Sequence, residues 1–345
     1  MQTEHVIYAS DAREMTHVDD GTVDLVVTSP PYPMIEMWDG LFTSLDATID
    51  EYLDSGAGDA AFEAMHEALA PCWDELARVL RPGGIACINV GDATRSIGGD
   101  FQLFPNHVAV VDAMRDRGFS VLPDILWRKP SNRLTKFMGS GMLPTNAYAT
   151  LEHEYILVFR KGGTREFDPG CAERYESAFF WEERNEWFSD LWTDVRGTGQ
   201  LLSDANRDRS GAFPLEIPLR LIRMFSVYDD TVLDPFWGTG TTTLAAMLAG
   251  RNSLGYELDA DLVAQFDERV EGAPELSRKR TRARLDAHRD FVAARKADAD
   301  PPDYEATHYD FPVVTRQERE IRFYVVAGVE PDEDGYLVTH EPHSS

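Results

Sequence analysis

The chain has 345 residues, 43% of them hydrophobic, enough to bury a full core as one large domain or two modest ones. Its formal net charge is -27, from 60 acidic against 33 basic residues, and only five of the basic residues are lysine. No run of about 20 apolar residues and no signal-peptide pattern is seen, which excludes a membrane span and sets the expectation of a cytoplasmic protein. Three scattered cysteines, Cys72, Cys87 and Cys171, lack metal-ligand spacing and suit a reducing compartment.

In chain order, Ile7 to Ser10 reads as a short strand with Asp11 at its carboxyl end, and Asp24 to Thr28 as a second, buried one. Trp38 to Gly58 has no clear period and reads as a mobile segment. Met65, Leu69, Trp73, Leu76 and Leu80 recur at helical spacing, so a helix is predicted over 62–80, kinked at Pro71 and stopped by Pro82-Gly83-Gly84. Strand 85–90, helix 105–117 closed by Gly118, and strands 121–127 and 154–159 follow. Residues 161–210 are irregular and rich in aromatics, arginine and acids. Then come helix 214–225, strand 231–234, a glycine loop, helix 241–249, strand 253–257 and a helical stretch over 260–297. The last residues hold a candidate hairpin, 321–329 with 335–340. Alternating strands and helices predict an α/β fold built on a doubly wound, mainly parallel sheet.

Two motifs carry chemistry. After the apolar strand 231–233 comes Asp234-Pro235-Phe236-Trp237-Gly238-Thr239-Gly240-Thr241-Thr242, with a helix behind it. Strand, glycine loop and helix make a nucleotide-cofactor geometry, because glycine allows positive φ and close backbone approach. Glu257 ends the next strand, 17 residues past Gly240, where a carboxylate can accept both ribose hydroxyls of an adenosine. Thr243 replaces the third glycine of a dinucleotide fingerprint, and no Gly-Lys-Ser/Thr follows, so a phosphate-cradling loop is excluded. The second motif, Ser29-Pro30-Pro31-Tyr32, follows strand 24–28. Two prolines stiffen a loop that offers the Ser29 hydroxyl and the Pro30 carbonyl as acceptors, with Tyr32 as a ring face.

Together the two motifs resemble those of the amino-methylating DNA methyltransferases, and their order, catalytic motif first, resembles the permuted beta class of that family. Leu80-Arg81-Pro82-Gly83-Gly84, Ile125 to Pro130 and His153 to Phe159 are similar to the family core, so that the resemblance covers about residues 5–160 and 190–270. It implies a Rossmann-like S-adenosylmethionine-dependent methyltransferase fold with an inserted target-recognition region. Residues 1–161 form the catalytic half of the core, 162–212 the target-recognition region, 213–272 the cofactor-binding half, and 273–345 a C-terminal extension without an assigned role.

By the same resemblance, Asp234, Pro235, Phe236, Gly238, Thr239, Gly240, Thr241, Thr242 and Glu257 hold S-adenosylmethionine. Trp237 stands where the family has a smaller residue, and Ser210-Gly211-Ala212 where it often has histidine-proline-alanine. Asp11 takes the adenine amino group in this scheme; the residues alone allow a helix cap instead. Ser29, Pro30, Pro31 and Tyr32 are the catalytic set. Two acceptors aimed at an exocyclic amine localise its lone pair for attack on the methyl group, and Tyr32 stacks on a flipped base. A serine in first place implies cytosine N4, where aspartate or asparagine accompanies adenine N6.

The partner implied is double-stranded DNA, together with a cognate restriction endonuclease acting on the same site. The global acidity does not exclude DNA, since net charge does not describe a local groove. Arg128, Lys129, Arg133 and Lys136 are the candidate phosphate contacts, and the run Arg278 to Arg284 is either a phosphate contact or a solvated helical face. Arg165, Arg174, Arg184, Arg196, Arg207 and Arg209 are candidate base readers, solvation or ion pairing being the alternative. Trp181, Trp187 and Trp192 read as core. The acid-rich, lysine-poor surface resembles proteins of salt-loving organisms, in which salt at about 1 M screens charge beyond about 3 Å. Solitary methylases of this type in such archaea imply CTAG as the site. The rival readings are an adenine-N6 DNA enzyme, an RNA or protein-amide methyltransferase, and a cofactor-binding DNA regulator without turnover.

Overall fold

The computed structural model describes residues 1–129, 138–196, 213–298 and 301–343. One mixed sheet carries the fold. Its strands are β1 (Gln2–Tyr8), β2 (Val23–Thr28), β3 (Leu80–Val90), β4 (Phe119–Val121), β5 (Ile125–Arg128), β6 (His153–Lys161), β7 (Leu191–Trp192), β8 (Thr231–Asp234), β9 (Asn252–Tyr256), β10 (Tyr324–Asp332) and β11 (Gly335–Pro342). They lie in the order β7-β5-β6-β3-β2-β8-β9-β1-β11-β10, with β4 also paired to β6. The run β3-β2-β8-β9-β1 is parallel throughout. On one flank β6 is antiparallel to β3 and β5, and on the other β11 is antiparallel to β1 and β10.

A parallel centre needs cover on both faces, and the central strands are apolar on both. In β2 the alternation of side chains sends Leu25 and Val27 to one core and Val26 to the other. The first core holds Ile217, Leu221 and Leu244 from helices Glu216–Phe225 and Thr241–Ala249; the second holds Met65, Trp73 and Leu76 from helix Gly58–Val79. No helix among the described residues is long and apolar enough to cross a membrane.

Several boundaries differ from the sequence-based expectation. The first helix of the long apolar period ends at Val79, and the Pro82-Gly83-Gly84 stop falls inside β3, because Leu80 is already paired with Val23. Pro71 sits within one helical element. The 38–58 segment is ordered as helices Asp39–Leu45 and Thr48–Ser55, whose only fully buried side chains, Phe42 and Ile49, give no readable period.

The C-terminal stretch is a working part of the sheet. Strand β11 pairs with β1 from Gln2 opposite Thr339 to Val6 opposite Gly335. Helix Ala273–Ala297 lies on β10, where the Ser277 hydroxyl accepts the Val326 N–H at 3.1 Å. A third core joins Phe180 to Leu285, Phe311, Ile321 and Phe323, with the Phe180 ring stacked on His288 at 3.8 Å. The described part of 162–212 is therefore built into the sheet through β7 and into the C-terminal residues through Phe180. Trp187 and Trp192 are buried as expected, but Trp181 is 40% exposed.

Where β1, β9 and β11 meet, a wholly buried polar cluster replaces apolar packing. The Thr3 hydroxyl lies 2.9 Å from both His5 Nε2 and His340 Nε2, and His5 Nδ1 lies 2.8 Å from the Ser253 hydroxyl. Burial, helped by the charge of the other imidazole, lowers His5 to about 3; burial, then the N-terminal ammonium and Arg251, lower His340 to about 4. The unfolded chain protonates both near 6.5 and the folded one does not, so unfolding takes up protons below that pH. Unfolding free energy is expected to fall as pH drops from about 6.5 towards about 4, by about 1.4 kcal/mol per pH unit for each imidazole. Urea titrations across this range check it, and His340→Gln should make the fall shallower.

Candidate active site

Strands β2 and β8 are neighbours, with Leu25 opposite Val232 and Val26 opposite Leu233. From this seam the chain leaves β2 and β8 towards opposite sides, and both motif loops start at the carboxyl ends there. In an open α/β sheet this switch point is where ligands bind. The seam is tied by a buried bond, Thr28 Oγ1 donating to Asp234 Oδ1 at 2.7 Å. The same Oδ1 accepts the Phe236 N–H at 3.1 Å. Burial pushes the Asp234 carboxyl up to about 6, against the pull of bonds from Thr242 and Thr28.

The glycine loop has the backbone expected of it, with φ of 56° at Gly238 and 74° at Gly240. A Cβ on Gly240 would lie 2.5 Å from the Phe266 ring and 2.6 Å from that of Trp237. Trp237 itself is buried. Its indole N–H donates to Thr243 Oγ1 at 2.8 Å and its ring meets Phe266 at 5.0 Å between centroids. The bulk that departs from the family pattern thus points into the core, and Gly255 makes room for it: a Cβ there would lie 2.2 Å from the indole. Pro235 is buried beneath the loop, and Phe236 packs edge-on against Trp73. Glu257, at the end of β9, accepts the Gly238 N–H at 2.8 Å and the Asp259 N–H at 2.9 Å, and burial raises its carboxyl. Thr242 Oγ1 reaches the Val27 carbonyl at 3.4 Å. Arg269, which no sequence pattern marked, donates to the Thr239 carbonyl and reaches Thr241 Oγ1 at 3.3 Å.

Asp11 lies in the turn after β1 and pairs with Arg13. Arg13 binds both its oxygens, at 2.7 Å to the nearer, and the Arg13 N–H donates to it at 2.9 Å. Burial works to raise this carboxyl, but the Arg13 bonds win and hold it low. No helix follows for Asp11 to cap. Beside it, Ser10 Oγ and Tyr256 Oη are buried without a hydrogen-bond partner, at the carboxyl ends of β1 and β9. Unpartnered polar atoms, a buried carboxylate and a glycine loop on adjacent strand ends fit an adenosine-bearing cofactor.

Across the seam, Ser29 Oγ lies 2.9 Å from Tyr32 Oη. Asn89, at the end of β3, donates to Tyr32 Oη at 2.8 Å and to Glu154 Oε2 at 2.7 Å. Tyr32 donates to the same Glu154 oxygen at 3.2 Å, and Lys129 pairs with the other. Burial and the neighbouring Glu154 charge keep the Tyr32 phenol far above its usual range, so it stays protonated. The loop is braced from behind by Asn106, whose amide donates to the Pro33 carbonyl at 3.0 Å and the Gly91 carbonyl at 2.9 Å. Met34 closes the loop with a φ of 67°, a conformation that a non-glycine residue holds only at a cost of about 1–3 kcal/mol.

The candidate DNA contacts fare unevenly. Arg128 pairs with Glu152 at 2.8 Å, and Lys129 pairs with Glu154 beside Tyr32. Arg133 and Lys136, like Arg207 and Arg209, lie outside the described residues. Arg165 binds Asp230 at 2.7 Å and Asp24 at 3.3 Å, a brace between strands and not a free base reader. In the 278–284 run, Arg280 and Arg284 turn inward to Glu216 and Glu183, while Arg278, Lys279 and Arg282 stay exposed.

Residues 23–268 match the family model described as DNA methylase, of the N6/N4 type. This chain belongs to that family. It is 50% identical over 328 residues to the type II methyltransferase M.MthZI of Methanothermobacter thermautotrophicus, covering 94% of this chain and 91% of that protein. It is 51% identical over 279 residues to the type II methyltransferase M.MjaI of Methanocaldococcus jannaschii, covering 78% and 91%. Among solved structures it resembles a putative DNA modification methylase of Thermus thermophilus, TTHA0409, in complex with S-adenosyl-L-methionine, with 33% identity, a TM-score of 0.60 and coverage of 77% and 94%. The cytosine-N4-specific PvuII methyltransferase shares the fold, with a TM-score of 0.52, 18% identity and coverage of 76% and 84%. The methylase is thus an S-adenosylmethionine-dependent DNA methyltransferase.

The Gly255–Trp237 contact gives a direct check on the cofactor half of this methylase. Gly255→Ala should force the indole out of its slot and distort the loop, costing about 1–3 kcal/mol of stability. Thermal unfolding and calorimetric titration with S-adenosylmethionine should show a lowered Tm and weaker cofactor binding together.

Proposed function

We propose that this methylase transfers the methyl group to the exocyclic N4 of a cytosine flipped out of a short duplex motif, CTAG, in the arrangement of the permuted beta class. The observation that carries the reading is the neutral Ser29 hydroxyl at the mouth of a stiff proline loop, one strand away from the Asp234–Thr242 loop. In this reading Asp234 to Phe236, Gly238 to Thr242 and Glu257 hold S-adenosylmethionine, which supplies an activated methyl group when bound. Glu257 takes the ribose hydroxyls through the lone pairs left free by its two backbone donors. Ser29 Oγ and the Pro30 carbonyl accept the two amino hydrogens, which localises the nitrogen lone pair towards the methyl group. The Tyr32 ring stacks on the flipped base, worth roughly 1–3 kcal/mol. Pro31 fixes the ring's approach through its locked φ.

On the DNA side, the exposed Arg278, Lys279 and Arg282 are the phosphate contacts this reading favours, and Arg128 joins them once DNA competes with Glu152; Lys129 stays on Glu154. A cognate endonuclease cutting the same site is the expected partner, as the type II designation of the relatives suggests. The acid-rich surface supports a cytoplasm of high salt, where counterion release contributes little and base contacts dominate affinity.

Two measurements test this. DNA from a methylase-free host expressing the chain, sequenced with single-molecule modification detection, should show modified cytosine in one short repeated motif; modified adenine would overturn the base assignment. Ser29→Ala and Tyr32→Ala should each slow methyl transfer by about 10²–10⁴-fold while S-adenosylmethionine affinity holds within about threefold. Wild-type turnover in either variant would remove the roles given to these residues.

A further inference from the structure

Glu154 is buried to 9% exposure and its carboxylate reaches the catalytic loop, yet holding an amine, stacking a base and binding a cofactor make no use of it. Its surroundings fix the direction of every hydrogen bond between it and Ser29. An ionised carboxylate only accepts. Lys129 donates to Oε1, and Asn89 donates to Oε2 at 2.7 Å. The Asn89 amide cannot be turned over, because its Oδ1 would then face the carboxylate; as it stands, that oxygen is buried without a partner. Tyr32 Oη receives the second Asn89 hydrogen at 2.8 Å, and its own proton goes to Glu154 Oε2 at 3.2 Å. The phenol has then spent its proton, so in the 2.9 Å contact with Ser29 the serine must be the donor. Ser29 is left with both lone pairs facing away from Tyr32, as a group that accepts amine hydrogens requires.

We propose that Glu154 is a positioning residue, which orients the chain Ser29–Tyr32–Glu154 so that Ser29 meets the substrate as an acceptor and which receives the amine's surplus proton through that chain. The proposal rests on the amine-holding role of Ser29. Once the new nitrogen–carbon bond has formed, one N–H bond breaks and its electron pair stays on nitrogen. The proton joins Ser29 Oγ, the former Ser29 proton joins Tyr32 Oη, and the former Tyr32 proton joins Glu154 Oε2. Three O–H bonds form as one N–H and two O–H bonds break. Glu154 ends as a neutral acid beside the Lys129 ammonium and returns the proton to solvent. The groups facing Glu154 are Tyr32 from the catalytic loop, Asn89 from β3 and Lys129 from the end of β5.

Glu154→Gln keeps the shape and removes the charge; its amide can donate to Tyr32, turning the phenol proton onto Ser29 and cancelling the acceptor. Single-turnover methylation of duplex DNA by the full chain should slow about 10²–10³-fold, while S-adenosylmethionine affinity and KM for DNA stay within about twofold. Tyr32→Phe keeps the stacking ring and deletes the relay, so it should slow the reaction comparably, and the double variant should be no slower than the worse single one. A Glu154→Gln rate within about threefold of wild type overturns the proposal, and so does a loss confined to cofactor or DNA affinity. Should Glu154→Gln fail to fold, Tyr32→Phe decides alone, and a wild-type rate there overturns it. A wild-type chain that methylates no DNA would instead strike down the amine-holding role itself, and this proposal with it.

Discussion

The hydrogen bond between Thr28 and Asp234 is the constraint on which the rest depends. It joins the last residues of two parallel neighbours, one leading to the catalytic loop and the other to the cofactor loop, at the point where the sheet winds both ways. A bond to a charged group is worth about 1.5–3 kcal/mol net, and leaving that carboxylate unmatched in the interior would cost more. Burial already raises Asp234, so the hydroxyl of Thr28, the Phe236 amide and Thr242 are what keep it usable. The distance between the Ser29–Tyr32 loop and the glycine loop is therefore set first by strand pairing.

Much of the remaining polar chemistry restrains loops in a protein that carries far more acid than base. Arg165, Arg280 and Arg284 each bind a carboxylate that bridges two elements, and Arg269 pins the glycine loop through the Thr239 carbonyl. These pairs are buried or half-buried, so their attraction is offset by desolvation and their main effect is geometric: a planar guanidinium with several donors fixes an arrangement that a lysine would not. The lysine-poor composition and these internal braces agree: among the described residues most of the pairing cations are guanidinium forks.

The sequence alone was sufficient wherever local chemistry restricts the backbone. Gly238 and Gly240 need positive φ, the two prolines stiffen the loop after β2, and an unbroken apolar strand is legible without neighbours. The Trp237 departure was legible as an oddity but not as a solution, because its room comes from Gly255, a residue with no signal of its own. Asp11 was read two ways; no helix follows it to be capped, and its carboxylate pairs with Arg13 two residues on. Phe42 and Ile49 anchor short helices that a periodicity over a longer window does not register.

The amino-acid sequence by itself determined the two loops and the strands that bear them, because each is written in consecutive residues with a stereochemical requirement; the kind of reaction came from the resemblance those two motifs carry. Tertiary structure alone decided that Asn89, Lys129 and Glu154 converge on Tyr32, since they arrive from three strands and their spacings along the chain carry no period. It also decided that β10 and β11 belong to the central sheet: β11 pairs with β1 across more than three hundred residues, and pairing energy depends on register in space, which no local pattern encodes.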